Sequence, residues 1–168
     1  MSLITPDDLT LYKNYFDAII TEWGKPCKIW YPPLYTPCTN CNPDITGNVS
    51  SNTYLHGGPI PFQDGQICPM CNGSYLHAVE STSSITMFIY FKVSDFKKLG
   101  SNIVVPEGGI VTKCFITDVP NIKNCIKMQV QTSISPYGQF FYKLNSDGGD
   151  LHNIIQGRYF HHIWERLS

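Results

Sequence analysis

Four cysteines have the chemistry and the spacing to hold one metal ion. They stand in Pro37-Cys38-Thr39-Asn40-Cys41-Asn42 and in Ile67-Cys68-Pro69-Met70-Cys71-Asn72-Gly73, two C-x2-C knuckles with 26 residues between Cys41 and Cys68. Thiolates are soft donors, and two such knuckles supply the four sulfurs of a tetrahedral cage that suits Zn2+. A knuckle turns sharply after its second cysteine, where Asn or Gly tolerates a positive φ. Asn42 and Asn72 occupy those positions, and Pro69 stiffens the second knuckle. The expected cofactor is one structural zinc per chain, ligated by Cys38, Cys41, Cys68 and Cys71.

Disulfides fit the pattern less well. Seven cysteines is an odd number, and residues 1–8 lack the basic and apolar regions of a signal peptide, so no oxidising compartment is expected. Neither pair opens a helix after a strand, as a thioredoxin-like redox motif would. His56 and His77 are near the knuckles, but four cysteines already complete the site. Cys27, Cys114 and Cys125 read as small buried apolar residues.

Catalytic chemistry is hard to find. His161 and His162 are adjacent, so on a strand their rings face opposite ways and cannot share a metal. They read as packing or interface groups. There is no G-x-S-x-G, Walker A or H-E-x-x-H sequence. Gly57-Gly58-Pro59 is a weak phosphate cradle, and Asp147 with Asp150 in a glycine-rich stretch reads as solvated loop. The expectation is a protein that is not an enzyme.

The elements that must position the cysteines follow from periodicity. Residues 5–23 predict an amphipathic helix: Thr5 as N-cap, Pro6 at the first helical position, Asp7 and Asp8 at the positive end of the dipole. Leu9, Tyr12, Phe16, Ile19, Ile20 and Trp23 form its apolar stripe, and Gly24 with Pro26 ends it. Cys27–Tyr31 is a short strand, with Ile29 and Tyr31 on one face and Trp30 on the other. The module 34–76 is rich in Asn, Ser, Gly and Pro, has little core pattern, and is long for a loop unless zinc closes it.

Beyond it the texture is all strand. Ile85, Met87, Ile89 and Phe91 alternate with a second face that is partly aromatic, which allows burial on both sides. A helical turn is expected at 94–100 and turns at 106–109, 117–120 and 136–138. Strands are expected at 110–116, around 126–130, at 139–144 and at 158–166, with a flexible loop at 145–150. The fold class is mainly β (α+β): an N-terminal amphipathic helix, a four-cysteine zinc-ribbon-like insertion and a small antiparallel β-barrel or sandwich. The expected divisions are 1–33 (helix and first strand, part of the β-domain), 34–76 (zinc-knuckle module) and 77–168 (antiparallel β-domain).

Composition narrows the partners. Charged residues are 15% of the chain, below the roughly 25% usual for soluble domains, which suggests surface covered by other subunits. The formal charge is −1, with no basic run, and 34–76 contains no Lys or Arg. This weighs against a duplex-binding protein. No apolar run is long enough to cross a membrane as a helix.

The order of features resembles tailed-bacteriophage neck proteins of the head-completion or head-closure (head-tail connector) kind. The resemblance is carried by Ile4-Thr5-Pro6 with Tyr12 and Phe16-Asp17, then Gly24-Lys25 leading into a strand. It continues through Phe62-Gln63-Asp64-Gly65-Gln66-Ile67-Cys68-Pro69-Met70-Cys71-Asn72-Gly73. Val105-Pro106-Glu107-Gly108-Gly109 and the closing strand Tyr159-Phe160 with Ile163-Trp164-Glu165-Arg166 complete it. It implies a structural virion protein, assembled in the host cytoplasm. Such a protein forms a homo-oligomeric ring between portal or adaptor and tail proteins, and DNA passes through without sequence-specific binding. Zinc would then staple the insertion as a contact surface. The alternative is a zinc-ribbon module for nucleic acid or a transcription complex.

Overall fold

The protein, as a computed structural model, is described for residues 5–92, 104–132, 140–149 and 157–168. The turns expected at 94–100 and 136–138 lie outside these residues. The chain divides into two compact units, one of residues 1–31 and 82–168 and the other of residues 32–81.

The first unit begins with α1 (Pro6–Trp23), started by a reciprocal capping box. The Asp8 amide donates to Thr5 Oγ1 (3.2 Å) and the Thr5 amide donates to Asp8 Oδ2 (2.9 Å), satisfying two N–H groups that a helix start leaves open. Gly24 ends the helix because the backbone leaves no room for more: a Cβ there would sit 2.1 Å from the Ile20 carbonyl oxygen and 2.7 Å from Thr86 Cγ2.

Six strands follow and close on themselves: β1 (Lys25–Trp30), β6 (Thr82–Tyr90), β7 (Ile110–Phe115), β10 (Tyr159–Arg166), β9 (Phe141–Gly149) and β8 (Lys127–Val130), every pair antiparallel. Closure removes the unpaired sheet edges. The molecule is thus mainly β, with an N-terminal helix and a closed six-stranded antiparallel barrel.

Period-two alternation fills the barrel. Cys27 and Ile29 from β1, Ile85, Met87 and Ile89 from β6, Met128 and Val130 from β8, and Trp164 from β10 pack into one buried cluster. The Trp164 indole N–H would be costly to bury alone, and it donates to Thr112 Oγ1 at 2.8 Å. On β6 only the second half of the outer face is covered. Ser84 and Thr86 are exposed, whereas Phe88 and Tyr90 are half-buried.

Two expectations for this unit change. The loop expected at 145–150 is strand as far as Gly149: β9 stays paired with β10 by stepping over Asn145 and Gly148, at the two register shifts of that ladder. Bulges let residues of poor strand propensity remain in a ladder. The turn expected at 117–120 is a 3-10 turn (Ile116–Asp118) running into a five-residue helix, α2 (Val119–Lys123), whose Ile122 joins the barrel core. Lys113, an ordinary strand residue by its pattern, is fully buried. Its Nζ lies 3.7 Å from the centre of the Phe16 ring on α1 and 4.7 Å from that of Tyr159. That is cation–π geometry.

The second unit contains β2 (Leu34–Pro37), β3 (Cys41–Pro43), β4 (Ser50–Tyr54) and β5 (Leu76–Val79), paired as two small antiparallel sheets, β2 with β5 and β3 with β4. Residues 77–79, expected in the β-domain, belong here because β5 pairs with β2 from Leu34↔Val79 to Pro37↔Leu76.

Candidate metal centre

The first knuckle bridges β2 and β3, and the second lies in the turns between β4 and β5. Backbone hydrogen bonds knit them together: Cys38 N–H to Tyr75 O (2.7 Å), Ser50 N–H to Gly73 O (2.9 Å) and Asn72 N–H to Cys68 O (2.9 Å). The second knuckle turns through left-handed backbone at Asn72 (φ 50), Gly73 (φ 82) and Tyr75 (φ 58). The same expectation fails at Asn42. That residue is in strand β3, so the first knuckle continues into a ladder instead of reversing.

All four predicted cysteines come together. Cys38, Cys41, Cys68 and Cys71 are buried, and their Sγ atoms lie within 4.8 Å of one another. Cys38 Sγ is 3.8 Å from Cys68 Sγ, and Cys41 Sγ is 3.6 Å from Cys71 Sγ. A tetrahedron with metal–sulfur bonds of about 2.3 Å has edges of about 3.8 Å, which these two separations match. A disulfide would need roughly 2.05 Å, and every cysteine is a free thiol. The four cysteines could therefore hold a metal ion, in a pocket walled by Phe62, Met70 and Tyr75. His56 and His77 lie outside the cluster.

The thiols differ electrostatically. Burial pushes Cys41 up to about 12 and also raises Cys38. Burial opposes ionisation at Cys68 as well, but the Asn40 side-chain amide and the Cys71 and Met70 backbone amides donate to its sulfur and pull it down to about 6. Cys68 is thus the readiest of the three shifted thiols to ionise. Away from the cluster, burial alone carries Cys27 up to about 12 and is the main force carrying Cys125 to about 11, consistent with inert packing thiols. Cys114 is fully buried in the barrel core.

Asn40 is a residue that spacing alone does not reveal. It is fully buried inside the first knuckle. Its Nδ2 donates to the Ile60 carbonyl (2.8 Å) and to Cys68 Sγ (3.6 Å), and its Oδ1 accepts from the Ile60 amide (2.8 Å). Its own carbonyl accepts from the Leu55 amide at 3.1 Å. One side chain therefore grips both backbone groups of Ile60 and the sulfur of Cys68. Gly58 gives it space: a Cβ there would lie 2.7 Å from Asn40 Oδ1. The only sequence signal was an amide at a knuckle position where the side chain is free to turn inward.

The adjacent histidines occupy opposite faces of β10. The His161 ring lies 6.1 Å from Tyr90 on the outer face, and His162 packs inside against Phe160 (5.1 Å) and Trp164 (6.4 Å). Both are fully buried, and neither joins a metal-binding group among the described residues. Comparison with protein-family models, curated proteins and solved structures finds no match to this chain.

Proposed function

We propose that the chain is a structural virion protein of the phage neck, in which zinc at Cys38, Cys41, Cys68 and Cys71 fastens the 32–81 unit as a rigid contact surface. The observation that supports the zinc assignment is the buried four-sulfur cluster, two of whose separations match the edge of a zinc–thiolate tetrahedron. Four protein ligands leave no coordination position for a substrate, so the metal's role is to hold the fold. The ring itself, joining portal or adaptor to tail and passing DNA, rests on the sequence resemblance. It is supported by the low charge and by apolar side chains left on the surface, including Leu11, Tyr15 and Trp23 of α1. A nucleic-acid role is less well supported, because 32–81 carries Asp44, Asp64 and Glu80 but no Lys or Arg.

Two measurements test the proposal. Elemental analysis of the purified protein should give one zinc per chain, and a stable metal-free protein would sink the zinc assignment. Light scattering alone and with portal and tail proteins should show closed oligomers or specific complexes. A strict monomer that binds neither would overturn the neck assignment and leave the zinc assignment standing.

A further inference from the structure

A groove on the barrel unit plays no part in the metal centre. It has a volume of about 370 Å³ and lies where the last turns of α1, the first half of β6 and the chain following β7 meet. Phe115 gives it an apolar wall, while Thr21, Thr86, Asn121 and Asp118 give it oxygens.

Asp118 is the unusual member. It occupies the N-cap position of α2, where an aspartate ordinarily accepts a hydrogen bond from the first turn, yet its side chain makes none. Among the described residues, no donor or cation meets its carboxylate. Burial alone holds its carboxyl above the usual carboxylate range. A partly desolvated carboxylate without compensation is costly, and a cation in the groove would relieve that cost. Thr21 is already oriented for one: its hydroxyl hydrogen is spent on the Asp17 carbonyl (2.9 Å), which leaves its oxygen as an acceptor.

We propose that this groove binds a primary alkylammonium group. Its –NH3+ sits against Asp118, beside the oxygens of Thr21, Thr86 and Asn121 that line the groove, and its aliphatic stem lies along Phe115. An ammonium suits the site because it offers three rotatable donors on an apolar stem. The same chemistry is supplied by the lysine side chain of a partner protein or by a free aliphatic polyamine.

The test is an NMR titration of the isotope-labelled full-length chain with butylammonium chloride, against sodium chloride at equal ionic strength and against 1-butanol. Saturable shifts of the Thr21, Thr86 and Asn121 amides are expected with butylammonium and with neither control. Asp118→Asn should weaken binding at least about tenfold without lowering Tm, because it removes an uncompensated charge. Thr86→Val should weaken it a few-fold, which provides a second reading if the first variant folds poorly. Equal shifts with sodium chloride, or binding unchanged in both variants, overturns the proposal. Blocked lysine amide binding as tightly as butylammonium assigns the site to a protein side chain. Spermidine binding more than about tenfold tighter than butylammonium assigns it to a polyamine.

Discussion

At the residue scale the proposed zinc centre depends on two kinds of side chain, the four cysteines and the amide that orients one of them. Cys68→Ser removes the sulfur most ready to ionise, so zinc content should fall well below one per chain on elemental analysis. The 32–81 unit should then lose its cooperative melting, since binding energy at a structural site is folding energy. Asn40→Ala leaves all four thiols in place but strips both backbone groups of Ile60 of their partner. We expect a loss of about 2–4 kcal/mol in the stability of that unit. Zinc affinity should fall about 10- to 100-fold in competition with a chromophoric chelator. Proton competition gives the sign of the pH effect. The metal takes thiolates, so affinity falls as pH falls, and below about 6 even Cys68 is protonated in the metal-free site. Zinc release followed with that chelator should therefore steepen on the acid side of 6.

At the element scale, α1 is held to the barrel unit as much by polar contacts as by apolar ones. Ile20 is its one buried side chain among the described residues. Arg158 forks onto Asp17 (Nε to Oδ1 3.1 Å, Nη2 to Oδ2 2.7 Å), and the Tyr159 hydroxyl donates to the same carboxylate and to the Lys13 carbonyl (3.1 Å). Burial works against ionised Asp17, but Arg158 and Tyr159 outweigh it and hold the carboxyl below its ordinary value. A lowered folded-state pKa stabilises above the unfolded value near 4, and that contribution is lost as pH falls through the folded value. Tyr159 has the opposite sign. Burial, then Asp17, pushes it up to about 12, so its contribution is complete below pH 10 and fades between about 10 and 12. Asp17→Asn should cost about 1–2 kcal/mol at neutral pH in denaturant melts, and the difference from wild type should shrink below pH 4.

The sequence carried the elements whose physics is local. Thr5 predicted its N-cap, and the alternation of Ile85, Met87 and Ile89, and of Met128 and Val130, predicted strands with a buried face. It failed where the cause is distant. Asn145 and Gly148 read as loop because their own propensities favour one, and only the pairing with β10 keeps them in a ladder. Ile116–Lys123 is too short to show a helical period. The burial of Lys113 has no local signal, because nothing nearby in sequence announces Phe16 and Tyr159. The cysteine ligands were legible because metal geometry constrains spacing. Asn40 was not, because its partners Ile60 and Cys68 lie 20 and 28 residues away.

At the scale of the whole molecule, β1 and β6 are neighbours, with Trp30 opposite Thr82, and the 32–81 unit stands where a hairpin turn would otherwise close them. Replacing residues 32–81 with Asn-Gly should leave a protein with the barrel's circular dichroism and near-native melting but no bound zinc. An unfolded product would show that the barrel needs the insertion. The same connection bears on folding speed. To pair Trp30 with Thr82, an unstructured chain must close a loop of about fifty residues, a cost that grows as (3/2)RT ln n. Once the cysteines have gathered their metal and β2 has paired with β5, Leu34 and Val79 already stand side by side, and only a few links on either side remain free. That shortening is worth about 1.7 kcal/mol of closure entropy, or roughly a twentyfold gain in the chance that β1 meets β6. Zinc held within the chain that links β1 to β6 would then speed the barrel's assembly, and refolding of the barrel should slow by about that factor when the metal is withheld.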